Sequence, residues 1–484
     1  MHKTPNKLGE FRLIFLAILG VLFLYFSLMQ DPTKAPLVVL TGVASVVLLP
    51  YFIQNISFAL QLIIFLVPLS IDVALVGETK VSLPSELLLI LLSITILVKW
   101  LGGMKIDFSL LKHPLTHLLL LDLGWTICTS IFSEIPAVSF KRTLIKILFI
   151  AVFYGGILLF FKNQKTFQRL YYVYGIGLII PILYTTYRHA SLGLKQKNSI
   201  LISHPFFAEH TIYAAVVAFV LPFFIFKLFQ SKKSFPFVFG VFSLLVVAVT
   251  LSYSRAAWIS LVVALLFYIL TLFKIKFYPL LTGIGIVLLI GVFNFNSVYD
   301  EMKRTNAKYG DEISQHLTSV TNLQNDASNL ERINRWVSAV EMFKAKPLTG
   351  FGPGTYQFVY DRFQETRNMT RISTHFGDKG NAHSEYLMYL AEMGIIGFLL
   401  FISTLFYSLF LALKLLQKPL NSESRQLVFA AILGLITFYI HGLFNSFIDS
   451  EKIAVLYFGS LAILVWVDKK GSLNRYENEM DSDT

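Results

Sequence analysis

Long apolar runs constrain this chain more than any other feature. Windows of about 19 residues give about fourteen candidate runs, each close to the length a helix needs to cross a bilayer. They lie near residues 11–29, 36–53, 57–77, 83–101, 115–132, 143–161, 168–187, 211–229, 236–252, 256–273, 277–294, 385–413, 426–446 and 453–467. The sequence therefore predicts an all-α polytopic membrane protein with about fourteen spans. A count of twelve to fourteen is compatible with the same apolar runs. The second and third spans are the weakest, because only Gln54 and Asn55 separate them.

Composition agrees with a lipid environment. The chain is 55% hydrophobic and 14% charged, whereas soluble domains carry about 25% charged residues. The single cysteine, Cys128, excludes an intrachain disulfide and a cysteine metal cluster. Basic residues and an apolar stretch open the sequence without a small-residue cleavage pattern, which predicts an uncleaved first span.

The basic residues assign a side of the membrane to each loop, because cytoplasmic loops carry an excess of lysine and arginine. With the N-terminus inside, the basic clusters fall in every second loop. They are Lys99, Lys105 and Lys112; Lys162, Lys165 and Arg169; Lys227, Lys232 and Lys233; Lys274 and Lys276; Lys414, Lys418 and Arg425; and Lys469 and Lys470. The net charge of +12 therefore indicates topology, not nucleic-acid binding.

This alternation divides the chain into four regions. Residues 1–294 hold spans one to eleven, and residues 295–383 form one large loop on the non-cytoplasmic side. Residues 384–467 hold spans twelve to fourteen, and residues 468–484 form a cytoplasmic tail. Both termini are thus predicted inside, and the large loop is predicted to contain short amphipathic helices.

The first chemically informative segment is the outward turn between spans nine and ten, Ser252-Tyr-Ser-Arg255-Ala-Ala-Trp258. An arginine at the membrane boundary is costly to desolvate unless it is paired. A guanidinium matches phosphate oxygens bidentately, so Arg255 is a candidate phosphate ligand. The alternative is an interfacial arginine beside an interfacial tryptophan.

The second segment lies within the large loop. Leu330, Ile333, Trp336, Val337, Val340 and Phe343 recur at helical spacing and predict a short amphipathic helix that could lie on the membrane surface. Arg332 falls at the border of the apolar face and is predicted to reach inward to a lipid head group. Arg335 falls nearly opposite and is predicted to face water. Gly350, Gly352 and Gly354 follow Pro347 and predict a tight turn or a close backbone approach.

The third segment, Asn381-Ala-His383-Ser384-Glu385, directly precedes span twelve. Asn381 is a candidate N-cap, which would put His383 in the first helical turn. The helix dipole there disfavours the imidazolium, so the ring is predicted to be neutral and able to act as a base. The alternative is an interfacial histidine without a role. Other outward polar residues, including His210 and Arg362, are interpreted as a solvated or phosphate-attracting fringe.

Together these segments resemble the bacterial O-antigen ligase and polymerase superfamily over about residues 210–405. The matching motifs, in order, are Ser254-Arg255-Ala-Ala-Trp258, Arg332-x-x-x-Trp336, Pro347, Gly350-Phe-Gly352-Pro-Gly354, Ala382-His383-Ser384-x-Tyr386-Leu387 and Glu392-x-Gly394-Ile-Ile-Gly397. One departure is His383-Ser384, where the family often has His-Asn, so the acceptor geometry could differ.

The resemblance implies a membrane glycosyltransferase of cell-surface polysaccharide biosynthesis, such as lipopolysaccharide, with a periplasmic catalytic loop in the bacterial inner membrane. Such enzymes transfer a glycan from undecaprenyl diphosphate to an acceptor hydroxyl. Ligases use the lipid A core as acceptor, and O-antigen or exopolysaccharide polymerases extend a carrier-linked chain. If the roles of the family's residues apply to the matching positions here, the resemblance implies that Arg255 and Arg332 bind the diphosphate and that His383 activates the acceptor hydroxyl. The supporting residues are Ser254, Trp336, Gly350, Gly352, Gly354, Asn381, Ser384 and Glu385.

The implied chemistry needs no metal, cofactor or ATP, because the lipid diphosphate is already a good leaving group. Two arginines can neutralise the charge that grows on it, a histidine can take the proton, and direct attack would invert the anomeric centre. The expected partners are the carrier-linked donor, the acceptor glycan and membrane lipids.

Three rival classes stay open. They are a transporter of lipid-linked sugars, a peptidoglycan-type polymerase, and a sensor or scaffold. A transporter would bury charge at the bilayer midplane and show repeats. Here Asp122 is the only clear mid-span acid and no internal repeat is visible.

Overall fold

The structure is a computed structural model that describes residues 35–74, 80–199, 202–230, 235–273, 323–364 and 380–482. Its helices are α1 (Ala35–Gln54), α2 (Ile56–Leu66), α3 (Ser85–Leu101), α4 (Pro114–Ile131), α5 (Pro136–Phe160), α6 (Gln164–Ser191), α7 (His210–Leu228), α8 (Phe235–Leu251), α9 (Arg255–Leu272), α10 (Leu323–Ala345), α11 (Tyr356–Val359), α12 (Glu385–Leu416), α13 (Ser422–His441) and α14 (Glu451–Ser482). An antiparallel pair of strands, β1 (Ile71–Ala74) and β2 (Lys80–Leu83), lies between α2 and α3.

Within the described residues, seven helices are long and apolar enough to cross a membrane, namely α4, α5, α6, α7, α9, α12 and α13. Shorter apolar helices cover Val38–Gln54, Ile56–Leu69 and Phe235–Leu251. These findings agree with a helical membrane protein, while the count of fourteen spans stays a prediction. Predicted spans 11–29 and 277–294 and part of the large loop lie outside the described residues.

The predicted third span, residues 57–77, is wrong in its second half. Helix α2 ends at Leu66, a 3₁₀ turn containing Pro68 follows, and β1 begins at Ile71. Proline lacks the amide hydrogen that a continuing helix needs. Asp72 in β1 accepts a 2.7 Å hydrogen bond from the Ser82 hydroxyl in β2. The strands are therefore a small departure from the predicted all-α class.

The bundle is centred on α7 and α13, which pack against each other and against α14. In the apolar windows of α7 and α13, 78% and 83% of the residues are buried, against 17% in α9. A Cβ at Gly434 of α13 would overlap the Phe219 ring of α7, so the two helices need glycine for their close approach. Helix α9 exposes a row of large apolar side chains, including Ile259, Val262 and Leu266. Such a surface is suited to lipid.

Two polar contacts join helix ends that were predicted to lie on the same side of the membrane. At the end predicted to face outward, Lys452 Nζ donates to the carbonyl oxygens of Val67 and Ser70 at 3.1 and 2.9 Å. At the opposite end, Lys418 forms a 2.8 Å ion pair with Asp468. The candidate site lies at the first of these ends, and the alternation of loops stays a prediction.

The mid-span acid Asp122 has a structural partner. Its carboxylate lies 2.7 Å from Lys146 Nζ of α5, which also donates to the Thr126 hydroxyl at 2.8 Å. The ammonium lies 5.4 Å from the centre of the Tyr389 ring. A buried charge in a span is tolerated when it is paired, so Asp122 gives no separate indication of a transport path.

Candidate functional site

Helix α10 is embedded in protein over residues 334–342, and the expectation that it lies on a membrane surface is wrong. Its periodicity predicted the helix correctly. Val337 and Val340 pack against Leu387 of α12. On the other side, Ala339 and Met342 join a second buried cluster with the segment that follows the helix. A surface helix has one buried face, whereas this one has two.

Arg335 is buried, with 5% of its surface exposed, so its predicted contact with water is also wrong. Its Nε lies 2.9 Å from the Glu331 carboxylate, and its Nη1 donates to the Asn381 carbonyl oxygen at 3.3 Å. The guanidinium sits 5.2 Å from the centre of the Tyr360 ring. Arg335 thus fixes α10 to the segment before α12. Residues distant in sequence cover this face, which a helical wheel of α10 does not include.

Arg332 is half-buried and lies within electrostatic range of Arg255 and Glu209. Burial and the Arg255 guanidinium lower the pKa of Arg332, and Glu209 opposes them. Within the described part of the chain, neither Arg255 nor Arg332 forms an ion pair or a hydrogen bond. Two like charges held near each other with open hydrogen-bond donors make a site for an anion.

The turn that carries Arg255 is held by its own residues. Ser254 is the N-cap of α9, and its hydroxyl accepts from the Ala257 amide at 3.4 Å. Tyr253 has a left-handed backbone, with φ of 52°, and its hydroxyl donates to the Leu194 carbonyl oxygen at 3.0 Å. Arg255 therefore begins the helix from a fixed turn, and its side chain is exposed.

His383 lies outside the helix that it was predicted to open. Helix α12 begins at Glu385, and its N-cap is Ser384, whose hydroxyl accepts from the Leu387 amide at 3.5 Å. Asn381 instead accepts from the His383 amide at 2.9 Å and donates to the Ser446 carbonyl oxygen at 3.0 Å. The predicted N-cap role of Asn381 is wrong, because three residues, 382–384, separate it from the helix.

The main chain of His383 is tightly specified. Its φ is 47°, a left-handed conformation that non-glycine residues rarely adopt. The Trp336 indole donates to its carbonyl oxygen at 3.3 Å, which links the residue to α10. Strained backbones of this kind persist where surrounding contacts hold them, often at functional sites.

The ring of His383 is uncharged at neutral pH. Burial, together with the charges of the nearby Arg335 and Arg332, lowers its pKa to about 3. The predicted neutral ring thus has burial as its main cause, not the helix dipole. Within the described residues, the buried Nδ1 has no hydrogen-bond partner.

The glycines after α10 form the predicted tight turn. Gly350, Gly352 and Gly354 have φ values of 65°, 107° and 78°, which other residues adopt only with strain. Glu134 donates its amide to the Phe351 carbonyl oxygen at 3.1 Å, so the turn also contacts the connection between α4 and α5.

The amide hydrogens of this turn bond to α12. Those of Phe351 and Gly352 donate to the carbonyl oxygens of Ala391 and Glu392 at 3.1 and 2.9 Å. The Gly354 amide donates to the Glu392 carboxylate at 2.8 Å, and the Tyr356 amide does so at 2.9 Å. Because these donors have protein acceptors, the turn positions α10 and does not present its amides to a phosphate.

The partner of the turn is a kink in α12 at Gly394, whose φ is 64°. The kink leaves main-chain groups of the preceding turn unpaired within the helix. The Ile395 amide donates to the Pro347 carbonyl oxygen at 2.8 Å instead. A Cβ at Gly394 would overlap the Leu348 carbonyl, so the contact requires glycine.

Residues 238–402 match the family model described as O-antigen ligase. The predicted resemblance is confirmed. This stretch is similar to O-antigen ligases. The match begins in α8 and ends in α12, so it includes both arginines, the glycine turn and His383.

A protein of Haemophilus influenzae, described as uncharacterized, is 23% identical to this chain over 255 residues. The alignment covers 51% of this chain and 60% of that protein.

Within the matched residues, Arg332 lies near enough to Arg255 and His383 for charge to act between them: Arg255 lowers the pKa of Arg332, and Arg332 lowers the pKa of His383. The structure therefore places Arg332 near two residues that are far from it in sequence. Trp336 supports His383 directly. Glu385 supports the neighbouring segment, because its carboxylate accepts from the amides of Phe447 and Ile448 at 2.5 and 2.6 Å.

Sequence reasoning missed several residues of this region. Glu331 is the partner of Arg335, and its spacing of four residues was the available signal. Glu209 and His441 lie in electrostatic range of Arg332, but no local pattern distinguishes them from ordinary polar residues at helix ends. Among the described residues, no group of three His, Cys, Asp or Glu side chains could hold a metal ion.

Gly352→Ala is expected to lower the free energy of unfolding by about 2–4 kcal/mol, combining positive φ with a steric overlap. The added Cβ would overlap the Ser133 hydroxyl. Gly103 is the matched control, since its φ is 97° and nothing lies within 4 Å of its Cβ position. Gly103→Ala should cost only about 1–2 kcal/mol. Thermal unfolding of both variants in detergent measures the difference, and equal losses would contradict the docking of the turn.

Proposed function

We propose that the protein is a membrane glycosyltransferase that moves an oligo- or polysaccharide from undecaprenyl diphosphate to an acceptor sugar hydroxyl. The proposed location is the periplasmic face of the bacterial inner membrane, with both termini in the cytoplasm. The acceptor is lipid A core, as in an O-antigen ligase, and the product is a cell-surface polysaccharide. The match of residues 238–402 to the O-antigen ligase family and the apolar helices support this assignment.

The observation that carries the proposal is the meeting of Arg255, Arg332 and His383. They come from the start of α9, from α10 and from the segment before α12. Nothing in the packing of α10 requires Arg332 near another arginine, and Arg335 already anchors that helix through Glu331. Two guanidinium groups without ion-pair partners in the described residues, next to a neutral imidazole, fit an anionic leaving group beside a proton acceptor.

The proposed reaction uses each group once. The guanidinium groups of Arg255 and Arg332 bind the diphosphate and stabilise the negative charge that develops as the bond between glycan and phosphate breaks. The acceptor hydroxyl attacks the anomeric carbon from the opposite face, and the imidazole of His383 takes its proton. The configuration at that carbon is therefore inverted, and undecaprenyl diphosphate leaves. In this scheme, protein side chains alone stabilise the charge on the diphosphate and accept the proton, and no metal ion is required.

Deletion of the gene tests the proposal. Full-length glycan should accumulate on undecaprenyl diphosphate and be lost from the cell surface, and the intact gene should restore it. Single repeat units still attached to lipid A would instead identify a polymerase. An unchanged surface glycan in the deletion strain would reject both, and a carrier-linked glycan trapped on the cytoplasmic side would indicate a transporter.

A further inference from the structure

A second histidine lies beside the candidate site. His441 is the last residue of α13, and its side chain is 0% exposed. Its ring meets the edge of the Phe447 ring, with the two centroids 5.2 Å apart. Within the described part of the chain, neither Nδ1 nor Nε2 of His441 has a hydrogen-bond partner.

The turn after His441 packs against the segment that carries His383. The Gly442 carbonyl oxygen accepts from the Glu385 amide at 2.8 Å, and the Ser446 carbonyl oxygen accepts from Asn381 at 3.0 Å. His441 also lies in electrostatic range of Arg332 and His210. It therefore borders the same site as His383, from a helix outside residues 238–402 that match the O-antigen ligase family.

A polar ring at this position does not help the fold. Buried polar atoms without partners destabilise a protein, and in native structures such atoms are exceptions that call for an explanation. Asn445, in the same turn, is 2% exposed, and neither its Nδ2 nor its Oδ1 has a partner in the described residues. His441 at the end of α13 and Asn445 in the turn after it thus both have hydrogen-bonding atoms without partners among the described residues.

His113 shows what a structural histidine looks like in this protein. It is also buried, and its Nδ1 accepts from the Leu115 amide at 3.1 Å. Its Nε2 lies 3.5 Å from the Asp468 carboxylate. Both nitrogens of His113 have polar neighbours within the fold, whereas neither nitrogen of the buried His441 has a hydrogen-bond partner among the described residues.

We propose that His441 binds a hydroxyl group of the acceptor glycan, an inference that rests on the proposed glycosyl transfer. An uncharged imidazole offers one donor and one acceptor. A sugar hydroxyl both donates and accepts, so it can satisfy either nitrogen, or two adjacent hydroxyls can satisfy both. A diphosphate oxygen only accepts and would leave one nitrogen unpaired, and the guanidinium groups match it better. The acceptor is assigned because the 441–448 turn is bonded to the segment that carries His383.

Purified wild-type protein and three variants test the inference, with donor and acceptor fractions extracted from cells that lack the gene. His441→Leu fills the volume without hydrogen-bonding groups, and His441→Gln restores a donor and an acceptor. His113→Gln is the control for losing a buried histidine elsewhere. Initial rates at varied donor and varied acceptor give a separate KM for each, and thermal unfolding reports the fold.

His441→Leu should raise the acceptor KM at least about tenfold, because the hydroxyl loses its partner. The donor KM should stay within about twofold, and the melting temperature should equal or exceed that of the wild type. His441→Gln should recover most of the acceptor affinity. A wild-type acceptor KM in His441→Leu overturns the inference, as does a rise in the donor KM alone, which would assign the hydroxyl to the donor glycan. Absence of transfer by the wild-type protein itself would mark the failure of the proposed function instead.

Discussion

Replacing His383 by asparagine is expected to lower the rate constant for glycan transfer by about 10²–10⁴-fold, the usual contribution of a general base. Asparagine is chosen because it tolerates the left-handed backbone of this residue, with φ of 47°. The Trp336 indole can still donate to the carbonyl oxygen of residue 383. The variant should therefore fold normally and bind the donor. Transfer by purified protein, with KM and kcat measured separately, provides the test.

His113→Asn is the control, because His113 is a buried histidine at the opposite end of the bundle, near Asp468. It should change the melting temperature more than the transfer rate. A wild-type rate in His383→Asn would remove His383 from the mechanism. Equal losses of rate in both variants would indicate general damage to the fold.

The pH dependence gives this prediction a second signature. A base with an ordinary histidine pKa near 6.5 would lose about 30-fold in rate between pH 8 and pH 5. The pKa of His383 is lowered to about 3 by burial and by Arg335 and Arg332, so the ring stays unprotonated over that range. The acid limb of the rate profile should therefore be absent above pH 5. Since the pKa in the folded state is the lower one, the contribution of His383 to stability is complete above pH 6.5. It is lost as the pH falls from 6.5 towards about 3.

Helix boundaries were predictable wherever the information is local. The predicted spans 211–229 and 256–273 agree to one residue with His210–Leu228 and Arg255–Leu272. Apolar runs and the three glycines act over a few residues, so the sequence displays them directly. The third span failed because its apolar residues also suit a strand, and Pro68 stops the helix first.

The site was harder to predict because its contacts are long-range. Arg332 and Arg335 are only three positions apart in the sequence. A helical wheel predicted their environments from the polarity of α10 alone. Tyr360 and Asn381 decide the environment of Arg335, and both come from outside that helix. In the same way, His441 is an ordinary residue at a helix end until the fold packs its turn against residues 381–385.

Arg332 and Arg335 give the second large prediction, since the two arginines of one helix should respond in opposite ways. Arg332→Gln should lower kcat/KM for transfer by about 10²–10³-fold, through loss of charge stabilisation on the leaving diphosphate. Its melting temperature should not fall, because burial and Arg255 already disfavour the charge of Arg332. Arg332→Lys keeps the charge but not the two-pronged geometry, so its activity should be intermediate.

Arg335→Gln should instead lower the free energy of unfolding by about 3 kcal/mol or more, as expected when one partner of a buried ion pair is removed. Arg335 pairs with Glu331 at 2.9 Å and is 5% exposed. Arg362→Gln is the control in the same loop, because Arg362 is 63% exposed and its pair with Glu134 lies at the surface. It should change stability by less than about 1 kcal/mol.

Arg255→Gln completes the experiment, because Arg255 and Arg332 are proposed to act on one diphosphate. The double variant with Arg332→Gln should lose much less than the sum of the two single losses in activation free energy, as groups that act as a unit do. Additive losses would mean that the arginines bind separate groups, and wild-type transfer by Arg332→Gln would remove it from the site. A parallel loss of stability in Arg332→Gln and Arg335→Gln would show that both arginines are structural. The proposal thus requires that Arg332→Gln lower the transfer rate without lowering stability, and that Arg335→Gln lower the stability of the fold.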